Sequence, residues 1–156
     1  MHKKYAALAT CSLNQWAMSF NHNKKNIIKS ILMAKSMGAT YRVGPELEIS
    51  GYGCEDHFFE LDTVKHSWQV MADILRCPDL TKDIICDIGM PVHYKNTLYN
   101  CRVICLNQKI LLIRPKLHLA GGNNYREPRW FTAWVRDGGR AVEEFPLCPE
   151  IQEIVG

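Results

Sequence analysis

Two charged residues in this sequence could together hydrolyse an amide, because one can act as a base and the other can stabilise negative charge. Glu46 follows Pro45 in the segment VGPELEISGYG, and Lys116 follows Pro115 in ILLIRPK. A positioned carboxylate is a general base, and an ammonium group can stabilise an oxyanion. Each of the two lies at the end of an apolar run that predicts a strand. Glu48 is the alternative base, since side chains alternate between the two faces of a strand.

The elements that must position Glu46 alternate between strand and helix. Residues 5–13 and 41–45 are predicted strands. Between them, Asn23 predicts the N-cap of a helix and Gly38 predicts its end. The predicted apolar face of this helix contains Ile27, Ile28, Ile31, Leu32 and Ala34. This order, followed by a second helix over residues 62–76, predicts an α/β fold with a crossover connection.

The pattern changes in the second half of the chain. Residues 83–92, 97–106 and 109–114 are strand-like and are separated by short polar turns. Short turns join antiparallel neighbours, so we expect a mixed sheet whose last strand leads to Lys116. Residues 130–135 are a further candidate strand after a loop rich in Gly, Asn and Arg.

Six segments resemble, in the same order, those of the nitrilase (carbon-nitrogen hydrolase) superfamily, and more closely the glutaminase domain of glutamine-dependent NAD synthetases. They are ATCSLNQW, GPELEISGYGCEDHF, DIGMPV, YNCR, IRPKLHLA and NYREPRWFTAW. The resemblance covers essentially the whole chain. It implies a nitrilase-like α-β-β-α sandwich with mixed sheets, in which residues 1–156 form a partial hydrolase domain cut before the nucleophile strand.

The resemblance also implies roles for individual residues. Glu46 is expected to be the catalytic base and Lys116 the oxyanion stabiliser, acting around a cysteine nucleophile. Glu127 and Arg129 are expected to support them, with Glu127 holding the lysine by charge-assisted hydrogen bonds.

The same resemblance implies a substrate and partners. Tyr52 and Tyr125 are expected to line a pocket for glutamine. The released ammonia would pass to a synthetase domain that uses ATP and Mg²⁺ to convert deamido-NAD to NAD. The hydrolysis itself is expected to need neither cofactor nor metal, and the parent protein is expected to form a homo-oligomer.

The nucleophile is the open point, because the chain has seven cysteines and only Cys148 follows the lysine. Those inside strand patterns are predicted core residues: Cys11, Cys86, Cys101 and Cys105. Zinc binding by Cys101 and Cys105 is excluded, because four strand positions separate the thiols by roughly 13 Å. Alternatives to a nucleophile outside the chain are a different amidase using Cys148, or a catalytically silent domain that binds partner subunits.

Composition excludes several other classes of protein. With 47% hydrophobic residues, 22% charged residues and a net charge of +3, the chain is typical of a globular domain. Its basic residues lack the interleaved aromatics of a nucleic-acid binder. No apolar run is long enough for a membrane span or a signal peptide, so we expect a cytoplasmic protein with reduced cysteines.

Overall fold

A computed structural model of the chain describes residues 5–135 and 142–155. Its five strands form one sheet in chain order. They are β1 Leu8–Thr10, β2 Tyr41–Val43, β3 Ile85–Tyr94, β4 Thr97–Leu106 and β5 Lys109–Pro115. The first three run parallel, and β3, β4 and β5 run antiparallel. The predicted mixed sheet is therefore confirmed, although β1 is shorter than expected.

The helices lie between and after these strands. They are α1 Phe20–Ser36, α2 Leu61–Arg76, α3 Pro78–Thr81, α4 Glu127–Trp130 and α5 Pro149–Val155, with a 3₁₀ segment at Tyr52–Phe59. The helix predicted over residues 62–76 is confirmed. None of the helices in the described part of the chain is long and apolar enough to span a membrane.

The predicted start of α1 was wrong. The helix begins at Phe20, and Asn23 lies inside it, fully buried. The Asn23 amide donates to the carbonyl oxygens of Trp16 and Ile49. Its side chain therefore joins the helix to two loops instead of capping a helix end.

The helices α1 and α2 cover one face of the sheet, and their buried side chains form the main core with β3 and β4. On α1, Ile27 and Ile31 are buried, whereas Leu32 is 49% exposed. Leu32 follows Ile31 directly and so lies about 100° further round the helix. The apolar face predicted for α1 was thus too wide.

The strand predicted at residues 130–135 is absent from the described structure. Backbone N–H groups of Thr132 and Trp134 donate to the carbonyl oxygens of Leu98 and Lys116. These two single bonds form no ladder. The segment instead fixes the chain beside Lys116.

Candidate active site

Residues 44–51 form a loop that leaves β2 and continues beside β3, with the Pro45 and Leu47 backbone against Gly89 and Ile49 in the main core. The Gly44 N–H donates to the Asp87 carbonyl, and the Ile49 N–H donates to the Gly89 carbonyl, each at 3.2 Å. Gly89 allows this close approach, because a Cβ there would lie 2.6 Å from the Leu47 nitrogen. We call residues 44–51 the Glu46 loop.

Glu48 is the anchor of this loop and is not available as a base. Its carboxylate and the Arg42 guanidinium are fully buried and 2.7 Å apart. Arg42 donates with both terminal nitrogens to Glu48 and also bonds Ser30. The Gly89 N–H donates to the same carboxylate at 3.3 Å. The alternative assignment of Glu48 as the base is therefore wrong, because both of its oxygens are buried and accept hydrogen bonds from Arg42.

Glu46, in contrast, faces Lys116 directly. The Lys116 Nζ donates to Glu46 Oε1 at 2.6 Å and to Glu127 Oε1 at 2.9 Å. The Asn100 amide donates to the same Glu46 oxygen. The structure thus brings together the predicted base, the predicted cation and the predicted supporting acid.

The backbone around Lys116 is held from both sides. Its N–H donates to the Asn100 carbonyl at 2.8 Å, and its carbonyl accepts from the Trp134 N–H at 3.0 Å. Lys116 follows directly after β5, which ends at Pro115. The base and the cation are consequently placed by the same sheet.

Glu127 is the buried carboxylate of the cluster, with 1% of its surface exposed. It accepts hydrogen bonds from the Tyr52 hydroxyl at 2.7 Å and from the Ala120 N–H at 2.9 Å, besides the Lys116 ammonium. Burial alone would raise the pKa of Glu127, but these three donors outweigh it and hold the pKa below its ordinary value. Burial and the neighbouring carboxylate raise the pKa of Tyr52, which stays a donor.

Lys116 remains an ammonium at neutral pH. Burial acts to lower the pKa of Lys116, yet its hydrogen bonds to Glu46 and Glu127 raise the pKa above the ordinary value of 10.5. The side chain of Glu46 is 38% exposed, against 1% for Glu127. Of the two carboxylates, only Glu46 is open to a reactant.

The remaining predicted residues lie at the edge of the cluster. The ring of Tyr125 stands edge-on to Tyr52 with centroids 6.3 Å apart and is exposed. Arg129 does not join the cluster: its guanidinium donates to both oxygens of Asp56, at 2.7 and 2.8 Å, and Trp130 donates to Asp56 as well. Arg129 therefore ties α4 to the 3₁₀ segment.

None of the seven cysteines, all within the described residues, hydrogen-bonds to Glu46 or Lys116. Cys86, Cys101 and Cys105 are buried, as expected, whereas Cys11 is only partly buried. Cys148 packs against the core on the helical side of the sheet.

Two further cysteines have other surroundings. Cys54 is buried, and its thiol donates to backbone carbonyls, while burial raises its pKa. Cys77 is exposed at the end of α2. The described residues contain no cluster of three or more His, Cys, Asp or Glu side chains that could hold a metal.

Asn100 is the site residue that sequence reasoning missed. It lies on β4 and is 3% exposed. A buried amide on a strand needs hydrogen-bond partners, and this was the available signal. Its partner could not be identified from the sequence because Glu46 lies 54 residues away.

Comparison with known proteins places the fold and the family. A model of the carbon-nitrogen hydrolase family matches residues 7–150. A glutamine-dependent NAD(+) synthetase of Dictyostelium discoideum is 60% identical over 98% of the chain and 21% of its own length. A human protein of the same name is 58% identical over 94% of the chain and 20% of its own length. The chain thus spans about a fifth of these curated relatives.

Solved structures of related proteins share this fold. A glutamine-dependent NAD(+) synthetase from Cytophaga hutchinsonii superimposes with a TM-score of 0.79 at 30% identity, covering 85% of this chain and 22% of the other. An amidase from Nesterenkonia sp. shares the fold at 17% identity and a TM-score of 0.72, covering 87% of this chain and 51% of that one. The nitrilase-like α/β fold is confirmed, and the chain belongs to the carbon-nitrogen hydrolase family.

Proposed function

We propose that residues 1–156 are a partial glutaminase domain, supplying the base and the cation that hydrolyse glutamine in a longer glutamine-dependent NAD synthetase. The observation that carries this proposal is the Lys116 ammonium held between an open carboxylate, Glu46, and a buried one, Glu127. The identity of 58–60% to proteins of that name supports the substrate.

The proposed reaction has two halves. In the first, Glu46 takes the proton of a cysteine thiol, and the sulfur attacks the carboxamide carbon of glutamine. Lys116 stabilises the oxyanion, and Glu46 returns the proton to the nitrogen, which leaves as ammonia. In the second, Glu46 deprotonates a water that attacks the thioester carbon, the C–S bond breaks to release glutamate, and Glu46 returns the proton to the cysteine sulfur.

We place the nucleophile outside these 156 residues. Cys101 lies one position from Asn100 on β4, so its side chain points to the opposite face of the sheet. Cys148 is also on the helical side. In an amidase that uses Cys148, this residue would have to contact Glu46, but it packs against the main core on the other side of the sheet.

Tyr52 and Tyr125 are proposed to line the glutamine pocket, because both lie at the open side of the cluster. Arg129 is proposed to support the site indirectly, through Asp56. The ammonia would serve a synthetase domain that uses ATP and Mg²⁺, while the hydrolysis needs no cofactor. We propose that the parent protein is a homo-oligomer in the cytoplasm; the unpaired state of the seven cysteines of this chain is consistent with that compartment.

The test is ammonia release from glutamine by the protein at the length that its source cell makes. Glu46→Gln should lower the rate by about 10²-fold or more, because a neutral amide cannot take the proton. Glu60→Gln is the control, since Glu60 is exposed and pairs only with His57 among the described residues. Equal rates in the wild type and Glu46→Gln would refute the assignment of the base.

A further inference from the structure

We propose that Arg102 is a positioning residue, which sets Glu46 against Lys116 by holding the carbonyl group of Pro45. The expected loss of kcat rests on the proposed hydrolysis. The expected change in the mobility of the Glu46 loop rests only on the hydrogen bonds of the sheet.

All three guanidinium nitrogens of Arg102 are used. Nη1 donates to the Pro45 carbonyl at 2.9 Å, Nε donates to Asp87 Oδ1 at 2.6 Å, and Nη2 donates to the Asp87 carbonyl at 2.7 Å. The guanidinium is planar and its donors have fixed directions. The two bonds to Asp87 therefore fix the plane of the guanidinium, and within that plane one N–H of Nη1 points to the Pro45 carbonyl.

Asp87 is itself anchored in the middle of the sheet. The Tyr41 hydroxyl on β2 donates to Asp87 Oδ2 at 2.7 Å. The Asp87 carbonyl accepts from the Gly44 N–H as well as from Arg102. Asp87 on β3 thus binds both the start of the Glu46 loop, at Gly44, and the guanidinium that binds Pro45.

The Pro45 carbonyl belongs to the peptide group that continues into Glu46. This peptide group is nearly rigid. Fixing its oxygen therefore limits where the Cα of Glu46 can lie. The next residue, Leu47, has a φ of 49°, which an L-residue adopts only when its surroundings hold it there.

The same strand also places the other partners of Glu46. Asn100, two residues before Arg102 on β4, donates to the Glu46 carboxylate and accepts from the Lys116 N–H. Arg102 and Asn100 on β4 thus hold three groups by hydrogen bonds: the Pro45 carbonyl before the base, the Glu46 carboxylate and the Lys116 N–H. Arg102 makes the first of these three bonds.

The kinetic test compares Arg102→Ala with Arg114→Ala in the protein at its natural length. Arg114 lies opposite Arg102 on β5, is exposed, and makes no hydrogen bond to the Glu46 loop within the described residues. Misplacing a reacting group by about 1 Å can lower a rate about 10²-fold. We expect a loss of this order in kcat for glutamine with Arg102→Ala, with KM changed less than threefold, and no such loss with Arg114→Ala.

Arg102→Lys separates geometry from charge. It keeps the positive charge but cannot donate to Asp87 and Pro45 in the same fork, so kcat should lie between those of the wild type and Arg102→Ala. A rise in KM at unchanged kcat would contradict the proposal, because Arg102 would then contribute to glutamine binding and not to the placement of the base.

A second measurement does not depend on activity. Amide hydrogen exchange of the peptide containing residues 44–51 should accelerate at least tenfold in Arg102→Ala relative to Arg114→Ala, while exchange in α2 stays unchanged. Wild-type protein that hydrolyses no glutamine would overturn the proposed function, and exchange would still decide the role of Arg102. Unaltered exchange together with unaltered kcat would overturn the positioning role. If Arg102→Ala does not fold, Arg102→Lys is read by the same two measurements.

Discussion

At the scale of single residues, the two glutamates of the PELE segment have opposite tasks. Glu46 is partly exposed and contacts Lys116, whereas Glu48 is fully buried and contacts Arg42. A buried carboxylate whose two oxygens both accept from one guanidinium is closed to a reactant. The difference in burial, more than the residue type, decides which of them can be the base.

Lys116→Ala tests the cation. We expect kcat for glutamine hydrolysis to fall by about 10²–10³-fold while KM changes little, because an oxyanion forms only in the transition state. Steady-state kinetics of ammonia release measures both values. A rise in KM without a fall in kcat would assign Lys116 to substrate binding.

The lowered pKa of Glu127 predicts that the folded protein loses stability in acid. Its pKa is below the ordinary value of 4.5 in the folded protein, so its contribution is complete above pH 4.5 and is lost as the pH falls through the lowered pKa. Urea unfolding of the wild type and Glu127→Gln at pH 7 and pH 3.5 measures this. The variant should be less stable at pH 7 by roughly 1–3 kcal/mol and should lose less stability on acidification. Equal acid losses in both proteins would count against the lowered pKa.

At the scale of elements, the Glu46 loop is held by contacts that cross between distant segments. Arg42 on β2 anchors Glu48, Arg102 on β4 anchors Pro45, and Gly89 on β3 leaves room for the loop. The loop itself forms no strand ladder. Its shape is therefore determined by the sheet beneath it.

Glu48→Gln and Glu46→Gln should separate this anchoring from catalysis. Removing one charge of a buried ion pair costs about 3–5 kcal/mol, because the other charge stays buried without a partner. Glu48→Gln should lower the free energy of unfolding by this amount, and Glu46→Gln should change it by less than about 1 kcal/mol. Chemical denaturation of both variants measures the difference. Equal stabilities would contradict the anchoring role of Glu48.

The sequence predicted the elements whose signals are local. The strand over residues 97–106 has the predicted bounds, because alternating apolar residues lie between two polar turns. Local signals also located the helix before Pro78. The partners of Asn23, Glu48 and Asn100 could not be predicted, since each side chain bonds groups that the fold brings from other segments. The segment at residues 130–135 looked like a strand, but its two hydrogen bonds reach two different places.

At the scale of the whole molecule, the described part of the chain supplies a base and a cation but no thiol beside them. The chain spans about a fifth of its curated relatives, and its activity is proposed to need the rest of such a protein. The fold brings Glu46, Asn100 and Lys116 together by hydrogen bonds, while α1 and α2 cover the face of the sheet that carries the main core.

The chain of 156 residues alone is therefore expected to release no ammonia from glutamine above the level of its Glu46→Gln variant. The physical reason is that none of the seven cysteines hydrogen-bonds to Glu46 or Lys116, and the thiol of Cys54, which packs near the Glu46 loop, is buried and donates to backbone carbonyls. A coupled assay for ammonia, run on both purified proteins, measures this. Release that depends on Glu46 would show that one of the seven cysteines, with Cys148 first to be labelled, is a nucleophile.

The central claim is that Glu46 and Lys116 serve only to release ammonia from glutamine. It is tested most directly by NAD formation in the protein at its natural length, with glutamine or with ammonium as the nitrogen source. We predict that Glu46→Gln loses formation from glutamine by about 10²-fold or more and keeps formation from ammonium at the wild-type rate. Equal losses with both sources, or no loss with glutamine, would contradict the claim.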